Sequence, residues 1–132
     1  ADRRAHEFER AEIVDEVLGA REWPAAVAPL VEQVRAGLKA LETAVAYVKE
    51  HPEGIAYRDL YARKLVDMAV DLLIAALFCD QAAASERKLS VARRWLGECL
   101  PRGRALQERI CSGETLTFTD FEALAVQPAT AD

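Results

Sequence analysis

The sequence predicts an all-α protein, a four-helix up-and-down bundle with a kinked last helix, and three observations carry that prediction. Ala, Leu, Glu and Arg, all strong helix formers, dominate together with Val in a chain with only 6 Gly and 5 Pro. Apolar residues recur at alternating spacings of four and three over long stretches, the period of one helix face. Gly19, Pro24, Pro52, Gly54 and Gly113 fall where those stretches begin or end. At 132 residues, 52% of them hydrophobic and 30% charged, the chain has the composition of a folded domain and the length to bury its own core. We read 1–132 as a single helical bundle domain with helices at about 2–18, 24–50, 56–83 and 86–111 and a frayed tail at 123–132.

The first segment is acidic, with Phe8, Ala11, Val14 and Leu18 on one stripe, Ile13 and Val17 beside it, and Gly19 placed to close it in the left-handed conformation. Pro24 suits the first turn of the second helix, because its missing N–H would have no partner there. That helix carries the cleanest seam: Val27, Val31, Val34, Leu38, Leu41, Val45 and Val48. His51-Pro52-Glu53-Gly54 breaks it, with Gly54 free to take a positive φ.

The third helix has a main stripe of Tyr61, Leu65, Met68, Leu72, Ala75 and Cys79. Ala69, Leu73 and Ala76 form a second stripe, and Ile74, Leu77 and Phe78 fill further sides. With its C-terminal half apolar almost all round, it is expected to be the central helix.

Ser85 is expected to cap the fourth helix, with Glu86 in its first turn. Leu89, Ala92, Leu96, Cys99, Gly103, Leu106 and Ile110 hold their phase through Pro101, so a kink is expected there rather than a stop. The ring of Pro101 faces the carbonyl of Gly97, where the lack of a side chain eases adjustment. Gly113 supplies a C-terminal cap, and Thr119-Asp120-Phe121-Glu122 has the form of a capping box before one short helical turn.

The search for chemistry is mostly negative. His6 and His51 have no spaced partners, and the cysteines Cys79, Cys99 and Cys111 lack paired-ligand spacing, so no metal site is expected. Three cysteines inside apolar helical patterns read as reduced thiols rather than a disulfide framework. No Glu-x-x-His, glycine-rich phosphate loop or Gly-x-Ser-x-Gly elbow occurs, so no catalytic residue and no cofactor is assigned to this chain. Asp67 and Asp71 could pair as carboxylates, but they lie on the least apolar strip of their helix, where ion pairs with Arg63, Lys64 or the next helix account for them.

The longest apolar run, Leu72 to Cys79, is far short of the ~20 residues that cross a bilayer. The charged first residues carry no apolar signal segment, so a cytoplasmic location is the expectation. A net charge of −5 argues against general nucleic-acid affinity.

The charge is uneven. From Ser85 to Cys111 the chain carries Arg87, Lys88, Arg93, Arg94, Arg102, Arg104 and Arg109 against Glu86, Glu98 and Glu108. Either this basic helix packs against the acidic N-terminal segment, or its face meets an acidic partner or an anionic ligand. Arg87, Lys88, Arg93 and Arg94 are the candidate interaction surface.

The stretch Tyr61-Ala62-Arg63-Lys64-Leu65-Val66-Asp67-Met68-Ala69-Val70-Asp71, followed by Ser85-Glu86-Arg87-Lys88-Leu89-Ser90-Val91-Ala92-Arg93-Arg94-Trp95 and by Leu100-Pro101, resembles a C-terminal helical extension of some acyl-CoA dehydrogenases. The similarity covers roughly 57–112. It implies a non-catalytic appendage that packs on the catalytic body or a sister subunit of a flavoenzyme, with FAD and the catalytic glutamate held elsewhere, and with homo-oligomerisation possible. The alternative is a stand-alone helical adaptor, or a bundle holding a small apolar ligand between its helices.

Overall fold

The computed structural model describes residues 12–120, 123 and 125. Among the described residues the chain is all-helical, and no strand is present. A short helix, α1, is described over 12–18. Three long helices follow: α2 (Ala28–Glu50), α3 (Ile55–Ala84) and α4 (Glu86–Ile110). A single turn, α5 (Leu116–Thr119), comes last. The start of the expected first helix, at 2–11, and most of the expected tail lie outside the described residues.

The three long helices pack against one another, and their contacts set the directions. Tyr57 near the start of α3 hydrogen-bonds to Ile110 at the end of α4, so these two run antiparallel. Gly37 of α2 meets Leu72 of α3 and Leu100 of α4, while Tyr47 of α2 meets Gly113 just past α4. Together these contacts make α2 antiparallel to α3 and parallel to α4. Short connections between consecutive helices produce this up-and-down arrangement.

The core follows the seams. Val31, Val34, Leu38, Leu41 and Val48 of α2 are buried, Val45 is half-buried, and Leu30 and Ala44 join them. Tyr61, Leu65, Met68, Leu72, Ala75 and Cys79 of α3 are all buried, as are Ala92, Leu96, Cys99 and Ile110 of α4. Val14 and Leu18 bring α1 onto the same cluster, while Ile13 points outward. At ~1.5–3 kcal/mol for each large apolar side chain, this cluster is the main source of stability.

Several local expectations are corrected. The proline in the first turn of α2 is Pro29; Pro24 precedes the helix and accepts hydrogen bonds from the N–H groups of Val27 and Ala28. Ser85 stands at the N-cap of α4 in an extended conformation, but its side chain makes no capping hydrogen bond. A turn of helix over Leu116–Thr119 already precedes the expected capping box, its first N–H, from Leu116, taken by the Glu114 carboxylate; beyond it Ala123 is helical, its N–H bonded to the Asp120 carbonyl at 3.0 Å. Phe121 and Glu122, the second half of the expected capping box, lie outside the described residues.

Two expectations at breaks hold. Among the described residues Gly19, Gly54 and Gly113 are those with positive φ, and α4 runs through Pro101 as one continuous helix. Gly113 also needs its missing side chain for space, because a Cβ there would lie 3.2 Å from the Tyr47 hydroxyl.

Candidate functional site

Arg87, Lys88, Arg93 and Arg94 are all exposed on α4. Arg87 and Arg94, seven apart, share one face, and Val91 between them is 38% exposed. Arg94 reaches Glu98 on its own helix at 3.8 Å, a loose, water-exposed pair worth little. Among the described residues no ion pair ties these four side chains to another helix. The basic residue of α4 that does cross is Arg102, which grips Asp71 of α3 at 2.9 Å.

Asp67 and Asp71 therefore form no carboxylate pair. Asp67 turns to Arg63 on its own helix at 3.3 Å, and Asp71 belongs to Arg102. Beside that pair, the Trp95 indole N–H donates to the Asp71 carbonyl at 3.0 Å, and the Trp95 ring meets Phe78 edge-on with centroids 6.2 Å apart. These contacts fasten α3 to α4. Helix α3 is not enclosed. Val70 and Leu77 are 43% and 44% exposed, and Val66 and Ile74, half-exposed, continue the same outward strip.

On the opposite side of α4, a cleft of about 340 Å³ opens between α2 and α4. Its walls are the small residues Ala36, Gly37 and Ala40 from α2 and Gly103 from α4, with the larger Leu100 beside Gly103 on the same helix. Its floor is Met68 and Leu72 of α3 with Cys99 of α4. Gln33, Arg104 and Gln107 supply the polar lining. Cys99 is only 3% exposed, and burial, reinforced by the nearby Asp71 carboxylate, pushes its thiol up to about 11.

At the end of the bundle, aromatic side chains gather. The His51 imidazole stacks on Tyr57 with centroids 3.7 Å apart, and Tyr57 packs against Tyr47 and Tyr61 at 5.8 and 4.8 Å. The Tyr57 hydroxyl donates to the Ile110 carbonyl, and the Tyr61 hydroxyl donates to the Glu114 carbonyl at 2.8 Å. These tyrosines supply hydrogen bonds to the chain where α4 ends and leads on to α5. His51 is at the C-cap of α2, its Nδ1 accepting the Glu53 N–H. His6 lies outside the described residues.

Protein-family models, curated proteins and solved structures offer no match to this chain.

Among the described residues no three His, Cys, Asp or Glu side chains come together as a metal site would require, and no helix is long and apolar enough to cross a membrane. All three cysteines are free; Cys79 and Cys99 are buried and Cys111 is half-buried. Among the described residues three features bear on function: the apolar outward strip of α3, the exposed basic face of α4, and the cleft between α2 and α4. Sequence reading marked the basic face. It missed the cleft, whose one sequence signal is the run of small residues at 36, 37, 40 and 103 facing the same gap.

Proposed function

We propose that this chain is a non-catalytic helical interaction module that docks through the outward strip of α3 and the exposed basic face of α4. The observation that carries the reading is the exposure of Val70 and Leu77 on a helix whose opposite side is already buried in the core. An apolar strip of this kind is the feature a partner covers. Arg87 and Arg94 flank Val91 on the exposed face of α4 and add positive charge to the surface of the same helix pair, so the partner has an apolar patch accompanied by carboxylates. The resemblance of 57–112 to acyl-CoA dehydrogenase extensions supports the catalytic body of such a flavoenzyme as that partner, with the flavin held there and not in this chain.

The test is co-elution. A flavoenzyme body encoded beside this chain, followed by its flavin absorbance in gel filtration, is expected to carry the chain with it. Leu77→Asp, or Arg87→Glu with Arg94→Glu, is expected to release the chain without unfolding it. Failure of the unaltered chain to co-elute, or co-elution undiminished in both variants, overturns the reading.

A further inference from the structure

The cleft between α2 and α4 is independent of that docking surface, and three observations bear on what it holds. The first is its shape. At about 340 Å³, it lies at the small end of the ~300–1,000 Å³ range of ligand pockets. Its floor of Met68 and Leu72 is buried and apolar, so an apolar body placed there would leave water on favourable terms.

The second is Gly103. Glycine inside a helix costs ~1 kcal/mol relative to alanine, and such a residue usually has a packing reason. Gly37 has one, since a Cβ there would lie 2.6 Å from Leu72 Cδ2 and 3.3 Å from Leu100 Cδ2. At Gly103 a Cβ would meet nothing within 4 Å. Helix packing does not demand this glycine, and unlike Gly97, whose Cβ would also meet open space, it lines the cleft, where a larger side chain would take up its volume.

The third is charge. Arg104 and Gln107 are three apart on α4 and so adjacent on its surface, and both line the cleft. Among the described residues neither Arg104, Gln107 nor Gln33 spends its side chain on an ion pair or hydrogen bond. A cation that is always charged, with amide donors to help it, recognises a carboxylate or a similar monoanionic head.

We propose that this cleft binds a small amphiphilic anion, its apolar body on Met68 and Leu72 and its head group at Arg104 and Gln107. Recognition is by charge and shape. Cys99 serves as floor and not as nucleophile, being buried and held as the neutral thiol.

Three probes that share one body and differ in head charge test this on the full chain: 4-phenylbutyrate, 4-phenylbutan-1-ol and 4-phenylbutylamine, each titrated by calorimetry and by amide chemical shifts. The acid is expected to bind, the alcohol about ten-fold more weakly or worse, as a lost charged hydrogen bond implies, and the amine not at all. Arg104→Gln should bring the acid down to the affinity of the alcohol. Gly103→Leu should abolish binding of both, while Gly97→Ala, on the same helix away from the cleft, should bind as the unaltered chain does. If Gly103→Leu fails to fold, Ala40→Met fills the same space from the opposite wall. Arg87→Glu with Arg94→Glu should leave the acid's affinity unchanged, which separates this site from the docking surface. Equal binding of acid and alcohol, retained binding in the cleft-filling variant, or no acid binding up to about 10 mM overturns the proposal.

Discussion

Gly37, Gly97 and Gly103 are all helical, yet their surroundings differ, and the difference can be measured. A Cβ at Gly97 or Gly103 meets open space, so Gly97→Ala and Gly103→Ala should each stabilise the protein by ~0.5–1 kcal/mol through helix propensity. Gly37→Ala has the same propensity gain but drives a methyl into Leu72 and Leu100, and overpacking of this kind costs ~1–3 kcal/mol. Urea denaturation should therefore place Gly37→Ala at least ~1 kcal/mol below Gly97→Ala. Titration follows the same local logic. Burial pushes the Cys79 and Cys99 thiols up to about 11 from 9.0, and burial beside Tyr61 and Tyr47 pushes Tyr57 up to about 12 from 10.0. A folded pKa above the unfolded one means that the unfolded chain releases its proton first. The stability linked to these groups is complete below pH 9 and is lost as pH rises through 9–11 for the thiols and 10–12 for Tyr57. The melting temperature should fall across that window, and Tyr57→Phe should flatten its upper part.

At the scale of the element, α4 depends on contacts at two points. Its C-terminal end leaves carbonyls without helical partners, and the Tyr57 hydroxyl takes the one at Ile110 inside the core. Tyr57→Phe leaves that acceptor unpaired and should cost ~1–3 kcal/mol in thermal or urea unfolding; Tyr61→Phe, at a partly buried site, should cost less. Mid-helix, Pro101 removes the hydrogen bond to Gly97 and crowds its carbonyl, yet the helix continues because Leu96, Cys99 and Ile110 hold both halves on one core. Pro101→Ala should leave the helix in place and change stability by well under the ~3 kcal/mol that proline costs in a helix interior, as a restored hydrogen bond and lost kink geometry partly offset each other. The expected kink at Pro101 is checked as an axis angle above ~20°.

At the scale of the molecule, the charge distribution separates a surface from an internal brace. Arg102 is the brace: it pairs with a largely covered Asp71, so Arg102→Ala strands that carboxylate and should lower stability. Arg87 and Arg94 are exposed and uncommitted to another helix among the described residues. Reversing both to Glu should shift the melting temperature by only a few degrees while weakening association with a partner or sister subunit, and that association should weaken with added salt. A large loss of stability in the double variant would instead make the two arginines internal ion-pair partners.

The helices were legible in the sequence because each apolar seam is periodic within one segment, and the segment needs no knowledge of its neighbours to show it. The same holds for Gly19, Gly54 and Gly113, whose positive φ answers a local need to end or begin a helix. Even the passage of α4 through Pro101 was readable, from a stripe that keeps phase on both sides. Other features depend on how far one helix is rotated and shifted against the next, which no single segment encodes. Asp71 was a candidate partner for any nearby base until the register of α3 against α4 set it beside Arg102. The aromatic group of Tyr47, His51, Tyr57 and Tyr61 draws on two helices and serves the end of a third. Helix α3, apolar almost all round in its C-terminal half, was expected at the centre; with long neighbours on two sides, its third side stays open, and Val70 and Leu77 face water there. The cleft is also tertiary, because Gly103 and Ala40 become opposite walls only when α2 and α4 lie parallel across the floor that α3 provides.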